Sequence, residues 1–188
     1  MASTYTALGV ELMATGENAG TWGTKTNTNL NIIEQISGGF SQQAVSDSGD
    51  TDLSVSDGST GATLAHRMIE FTGTISAGRN VTIPLDVQTF YFLKNSTSGS
   101  QVVTFKYVSG SGNSVAIGNG ETKVVFATAN DGTNPDILEL PSGDVTLTGT
   151  QTLTNKTLTS PAIGTKISDT NGNELINFTA TGSAVNEI

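Results

Sequence analysis

The hydrophobic and polar positions of the chain alternate with a period of two over much of its central part. Val103, Phe105 and Tyr107 alternate with Thr104 and Lys106, as expected of a strand with one buried face. Similar short apolar segments are separated by Gly, Ser, Asn and Asp between residues 41 and 141. They are residues 68–71, 81–85, 90–94, 102–108, 115–117, 123–127 and 137–140. This spacing predicts an all-β domain, an antiparallel sandwich or a barrel, with successive strands paired as meanders.

The aromatic residues of this β domain predict where its hydrophobic core lies. Most of the aromatics of the chain fall in these segments, and we expect them to form the core. They are Phe71, Phe90, Tyr91, Phe92, Phe105, Tyr107 and Phe126.

A three-residue spacing near the N-terminus predicts one short helix. Leu30, Ile33 and Ile36 recur on this spacing in residues 24–37, with Ile32 beside them. Thr or Asn side chains before this segment are expected to cap its first amides, and glycines follow its end. Thr and Asn within it are poor helix formers, so the helix needs a partner surface. Another chain is one candidate for that surface.

The only tryptophan, Trp22, lies in this N-terminal arm rather than in the β domain. An aromatic in a weakly structured arm is commonly an anchor for a partner protein. The alternative is that the Trp22 ring folds back onto the β domain.

The last part of the chain, residues 142–188, changes to a Thr-rich pattern with isolated aliphatic residues. Leu153, Leu158 and Ile163 recur at five-residue steps, which is too little apolar surface for a core in one chain. Association of copies around an axis would solve this, and three copies could bring these rows together, as β-structured fibre shafts do. Asn171 and Gly172 predict the turn of a hairpin. The predicted organisation is therefore an arm (1–40), a β domain (41–141) and a shaft segment (142–188).

Charge and composition exclude several classes of function. The chain has 188 residues, 8 basic and 17 acidic, for a net charge of −9, and the basic residues are scattered. Nucleic-acid binding is therefore not expected. The acidic surface and the lack of a long apolar run argue against membrane insertion. The chain has no cysteine and one histidine, which removes disulfides, thiolate chemistry and His clusters.

Two groups of residues are candidates for chemistry. The carboxylates of Asp47, Asp50, Asp52 and Asp57 are close in sequence, as calcium sites require, but the closing Glu of a calcium loop is missing. A solvated loop is the better interpretation. His66 has no orienting carboxylate that the sequence identifies. We therefore expect no catalytic residue, no metal and no cofactor, and the chain is not predicted to be an enzyme.

Several segments resemble structural proteins of bacteriophages. Residues 15–30 (TGENAGTWGTKTNTNL) resemble the start of tail-fibre and related proteins, especially of marine phages. Residues 67–74 (RMIEFTGT), 79–84 (RNVTIP) and 92–99 (FLKNSTSG) resemble a small β domain of such fibres. Residues 149–161 (GTQTLTNKTLTSP) resemble the repeat next to the shaft, which is the most specific match.

The resemblance covers nearly the whole chain and implies a function in attachment. It implies a virion protein, assembled in the host cytoplasm, whose N-terminal part attaches a trimeric fibre to the tail or to adaptor or nozzle proteins. Residues 176–178 and 185–188 resemble only the beginning of a distal region, so the parts that bind the host surface receptor are expected to lie further on. The implied docking contacts are Trp22, Leu30, Ile33 and Ile36, and the implied trimer axis contains Leu153, Leu158 and Ile163.

Two other classes of function stay open at this point. One is a carbohydrate-binding module, in which Tyr91, Tyr107 or Trp22 would stack on host glycans. The other is the anchor of a tailspike whose depolymerase lies downstream.

Overall fold

The computed structural model describes residues 2–140, 166–168 and 174–177. The chain divides into two compact units, Met1–Ser142 and Gly143–Ile188. The first unit contains both the arm and the β domain, and all side-chain contacts below belong to it.

Within residues 2–140 the first unit combines one α-helix with eleven strands. An N-terminal hairpin of β1 (Thr4–Tyr5) and β2 (Glu11–Leu12) precedes the helix α1 (Trp22–Gly38). The strands of the β domain are β3 (Phe40–Ala44), β4 (Thr51–Asp52), β5 (Met68–Thr72), β6 (Arg79–Ile83), β7 (Thr89–Asn95), β8 (Val103–Tyr107), β9 (Val115–Ile117), β10 (Thr122–Ala127) and β11 (Ile137–Glu139). All seven predicted strands are present, with ends within two residues of those expected.

The strands form two open sheets rather than antiparallel meanders. One sheet has the order β11-β10-β7-β5-β3 and the other has the order β4-β6-β8-β9. From β3 to β8 the chain crosses to the opposite sheet after every strand, so β3, β5 and β7 pair in parallel, as do β4, β6 and β8. Within these two sheets the antiparallel pairs are β8 with β9, β7 with β10 and β10 with β11.

The predicted antiparallel arrangement is therefore wrong for the central strands. From β3 to β8, consecutive strands lie in different sheets, so they do not pair with each other as hairpins. The strands that do pair within a sheet are parallel, and parallel neighbours need a crossover connection, which here runs through the opposite sheet. Within residues 2–140 neither sheet closes into a barrel. The result is a β-rich fold in which β3 to β8 alternate between two parallel sheets. The antiparallel strands β9, β10 and β11 complete the two sheets.

The hydrophobic core lies between the facing sides of the two sheets. Phe105 of β8 packs against Tyr91 of β7, with ring centroids 5.7 Å apart, and against Phe71 of β5 at 6.3 Å. In β7 the odd positions Tyr91, Leu93 and Asn95 are buried and the even positions are exposed. Burying a side chain of this size stabilises the folded state by about 1.5–3 kcal/mol relative to leaving it exposed. The alternation of apolar and polar residues therefore fixes which face of each strand turns inward.

Three of the aromatics expected in the core lie elsewhere. Phe90 and Phe92 are exposed and Phe126 is half-buried, because strand geometry sends neighbours of an inward residue to the opposite face. Tyr91 occupies the inward position, which sends Phe90 and Phe92 outward.

The helix starts earlier than expected and lacks the predicted side-chain cap. Thr21 stands at the N-cap, but its hydroxyl donates to the carbonyl of Asn18 at 3.3 Å rather than accepting from a helical amide. At the other end Gly39 is required, because a Cβ there would stand 2.8 Å from the backbone of Gln35 and from the ring of His66.

In the second unit, β12 (Lys166–Ser168) and β13 (Glu174–Asn177) pair antiparallel. This pairing confirms the two strands of the predicted hairpin, whose predicted turn residues, Asn171 and Gly172, lie outside the described residues. The residues predicted for the trimer axis, Leu153, Leu158 and Ile163, lie outside the described residues.

Candidate interaction surfaces

The predicted docking residues of the helix are mostly on its exposed side. Trp22, Leu30 and Ile33 are 65 %, 57 % and 49 % exposed, and we call these three residues the helix stripe. Ile36 is half-buried, and Ile32 is the one fully buried residue of α1. At 3.6 residues per turn, Trp22 and Ile33 project within about 20° of each other and about 16 Å apart along the axis.

The helix that carries this stripe is fixed to the N-terminal hairpin by polar contacts with Glu11. The side-chain amide of Asn29 donates to the carbonyl of Glu11 and accepts from its amide, both at 2.9 Å. Lys25 Nζ lies 3.1 Å from Glu11 Oε2, and Asn18 donates to Oε1 at 3.1 Å. The hydrogen bond to Glu11 raises the pKa of Lys25. The stripe is therefore displayed by an oriented helix.

The second surface is the outer face of the five-stranded sheet. Six apolar side chains on it, between 40 % and 56 % exposed, form what we call the sheet face: Phe40, Met68, Phe90, Phe92, Leu138 and Leu140. The sequence interpretation missed this surface, since its residues come from β3, β5, β7 and the segment of β11 that runs on to Leu140, which are distant in the chain. The one available signal was the Phe90-Tyr91-Phe92 triplet, of which a strand can bury only alternate members.

The strand register joins these side chains into two neighbouring rows. Phe40, Met68 and Phe92 are aligned across β3, β5 and β7, and Val124 of β10 continues the row. Phe90, Phe126 and Leu138 form the next row across β7, β10 and β11. The rings of Phe90 and Phe92 are 6.0 Å apart, edge to face, and the guanidinium of Arg67 lies 4.0 Å from the centroid of Phe90.

Two open grooves run along the sheet face on either side of Phe92 and Thr122. The larger, about 510 Å³, continues to Leu140, and the smaller, about 360 Å³, continues to Phe40 and Met68. The charged residues that line them are Glu70, Lys94, Lys123 and Glu139. They form two ion pairs, Glu70 with Lys94 and Lys123 with Glu139, each at 2.9 Å.

Glu70 is held by three partners, one on β3, one on β7 and one directly after β7. Its carboxylate accepts from the hydroxyl of Ser96 at 2.6 Å, from Gln42 at 2.7 Å and from Lys94 at 2.9 Å. The hydrogen bonds from Ser96, Gln42 and Lys94 lower the pKa of Glu70 to about 2. The carboxylate is therefore ionised and fixed in place at neutral pH.

Three of the four carboxylates of the candidate calcium group bind protein groups of a neighbouring segment, and the fourth, Asp57, is exposed. Asp47 accepts from the amide of Ser76 at 2.7 Å and pairs with Arg79 at 3.0 Å. Asp50 accepts from Asn80 at 3.0 Å, and Asp52 accepts from Thr82 at 2.6 Å. Across the described residues, no group of three or more His, Asp or Glu side chains is placed to hold a metal ion.

His66 also has structural contacts. Its Nδ1 lies 2.9 Å from the carbonyl of Ala62, and its ring packs beside Gly39 at the end of α1.

The tyrosines considered for glycan stacking are buried. Tyr91 and Tyr107 are 1 % and 2 % exposed, and their hydroxyls donate to the carbonyls of Leu64 at 3.0 Å and Val87 at 2.8 Å. Burial raises the pKa of both phenols. Of the three aromatics weighed for sugar binding, Trp22 alone presents its ring to solvent.

Comparisons with protein-family models, with curated proteins and with solved structures found no match to this chain. None of the described helices is both long enough and apolar enough to cross a membrane.

Proposed function

We propose that this chain is a structural protein of a bacteriophage virion, the N-terminal part of a homotrimeric tail fibre. In this proposal α1 docks on the tail or on an adaptor or nozzle protein. The β domain forms a rigid shoulder, and the segment after it begins the shaft. Distal parts then present receptor-binding surfaces to the host, where several weak contacts add up to avidity.

The observation that carries this proposal is the helix stripe. Trp22, Leu30 and Ile33 expose large apolar side chains on one oriented helix. Tryptophan is among the residues most enriched at the energetic centres of protein interfaces. A helix already held by Glu11 loses little conformational freedom when its stripe is covered, so more of the contact energy is available for attachment.

The sequence resemblance to tail fibres points in the same direction. It covers residues 15–30, which contain Trp22 and Leu30, and it also covers strands of the β domain. A chain that must transmit force between a virion and a host surface needs a firm anchor rather than a reactive centre.

The carbohydrate-binding alternative has less support. Tyr91 and Tyr107 use their rings in the core and their hydroxyls in hydrogen bonds, so neither can stack on a sugar. The tailspike alternative makes the same demand on this part of the chain, because a tailspike also needs an anchor.

The test is incorporation of the fibre into virions of a phage that encodes this chain. Trp22→Ser and Ile33→Ser remove apolar contacts from the stripe without touching the core. Val108→Ser is the matched control, because Val108 is also about half exposed but lies outside the stripe. Point variants are sharper than a truncation, since Ala7 and Leu8 of the arm pack against the core.

The copies of the chain per purified particle are measured by quantitative mass spectrometry. Removing an anchor that contributes more than about 1.4 kcal/mol to binding weakens the affinity at least about tenfold. We therefore expect at least about tenfold fewer copies per particle for the stripe variants. The control is expected to match wild type. Wild-type incorporation of both stripe variants would show that the helix stripe does not attach the fibre.

A further inference from the structure

We infer that the sheet face is the contact surface for further copies of this same chain. The inference rests on the homotrimer of the proposed fibre and adds where the copies meet. The side chains that would be covered are Phe40, Met68, Phe90, Phe92, Leu138 and Leu140.

The apolar area of the face is large for a surface that stays in water. Six side chains of this size, each about half exposed, present roughly 400–600 Å². The largest apolar patch of a typical monomer is roughly 300–600 Å² and often functional. A standard interface buries about 800 Å² on each partner, so the face with its polar rim approaches the area that one copy contributes.

The geometry of the face suits a specific contact. The rows Phe40-Met68-Phe92 and Phe90-Phe126-Leu138 are fixed by backbone pairing of five strands. Edge-to-face packing of Phe90 on Phe92 and the stacked Arg67 hold the central rings in place. Little side-chain freedom is therefore lost when a partner covers them.

The charge distribution makes this face the place where another copy of the chain can approach with least repulsion. The chain carries a net charge of −9, so two copies repel each other across most of their surfaces. The grooves of the sheet face contribute no net charge, because Glu70 and Glu139 are balanced by Lys94 and Lys123. The charge of −9 therefore resides on other residues. Arg67, beside Phe90, adds a positive charge that attracts an acidic partner.

The charged side chains of the grooves are already paired within their own chain before two copies associate. Glu70 has three hydrogen bonds within its own chain, and Lys123 reaches Glu139 at 2.9 Å. A partner that covers the face buries no unpaired carboxylate on this side, which avoids the main electrostatic cost of an interface. An apolar centre with such a satisfied polar rim is the usual anatomy of a stable interface.

The first test is the solution mass of the full 188-residue chain by light scattering after size exclusion. Wild type is expected at 3 × 19.3 = 57.9 kDa. Phe92→Glu and Leu138→Glu place a new carboxylate on the face, and Val108→Glu is the control with the same change in charge. The face variants are expected to run as monomers of 19.3 kDa with an unchanged far-ultraviolet circular dichroism spectrum, while the control stays trimeric.

A second test separates this face from any other contact that holds the copies together. The chain has no cysteine, so Thr122→Cys, on the face, and Val108→Cys, off it, each create a single labelling site. Maleimide labelling rates are compared with those of the same variants in urea. Thr122→Cys is expected to be protected at least about tenfold more than Val108→Cys.

Each outcome decides the inference. A wild-type monomer, or an oligomer in which Thr122→Cys reacts as fast as Val108→Cys, would overturn it. If the face variants stay trimeric while Thr122→Cys is protected, the result would support the contact at the sheet face. It would also show that a second contact holds the copies together. The proposed fibre function is judged separately, by incorporation of the Trp22 and Ile33 variants into virions.

Discussion

Asn95 is completely buried at the end of β7, where its side chain joins three segments of backbone. Its Nδ2 donates to the carbonyls of Gln101 at 3.0 Å and Ile117 at 2.9 Å. Its Oδ1 accepts from the amide of Thr97 at 3.1 Å and from the hydroxyl of Thr97 at 2.7 Å. The substitution Asn95→Ala removes all four hydrogen bonds.

The expected loss follows from the three backbone groups and the Thr97 hydroxyl that each lose a hydrogen bond. A buried donor or acceptor left unsatisfied costs about 1–3 kcal/mol, and relaxation recovers part of the sum, so we predict a loss of about 3–5 kcal/mol. That is a large share of the roughly 5–15 kcal/mol that stabilises a typical domain. Asn80→Ala, which removes one exposed hydrogen bond to Asp50, is the control and is expected to cost at most about 1 kcal/mol.

The assay is urea denaturation followed by circular dichroism at one fixed protein concentration, because association shifts apparent stability. Trp22 is too exposed to report on the core by fluorescence. Asn95→Asp has nearly the same shape and creates no cavity, but it turns a carboxylate oxygen toward two carbonyl oxygens. It is expected to lose at least as much stability as Asn95→Ala. A near-native Asn95→Asp, or an Asn95→Ala loss below about 1 kcal/mol, would refute the hydrogen-bond argument.

Two further predictions concern a turn and an ion pair. Gly99 and Gly120 both have left-handed backbone (φ of 105° and 80°), but only at Gly99 would a Cβ meet a backbone atom, the carbonyl oxygen of Ile75. In thermal melts, Gly120→Ala is expected to cost about 1–2 kcal/mol and Gly99→Ala about 2–5 kcal/mol, and equal losses would contradict the steric argument. The folded pKa of Glu70 is depressed from 4.5 to about 2, so the stability that its carboxylate adds is fully present above pH 4.5 and is lost as the pH falls toward 2. Urea denaturation of wild type and Glu70→Gln between pH 7 and 2 should show their difference shrinking over that window, and a difference that is constant with pH would contradict the assignment.

Local structure was largely predictable, because the alternation of apolar and polar residues and the turn residues at its ends identify a strand without reference to its neighbours. Each of the seven predicted strands lies within two residues of its place. The strands that were missed are short or carry few apolar residues: β4 has only Thr51 and Asp52, and the one large apolar residue of β3, Phe40, faces solvent. The helix was found from its aliphatic spacing, although Ile32, rather than the three-residue series, supplies its buried contact.

Sheet topology could not be predicted from the same signals. Alternation is identical in parallel and antiparallel strands, so Val103, Phe105 and Tyr107 give no information on the direction of the neighbouring strand. The sheet face was missed for a related reason. Its residues come from β3, β5, β7 and the segment of β11 that runs on to Leu140, and they meet only through the strand register across β10. The helix stripe lies within twelve residues of one element, which is why spacing alone could suggest it.

The most direct test of the central claim is to look for the wild-type chain in purified particles of a phage that encodes it. Quantitative mass spectrometry against a major capsid component gives the number of copies per virion. We predict that the chain co-purifies with intact particles in a multiple of three copies. A chain that is abundant in infected cells but absent from purified virions would contradict it.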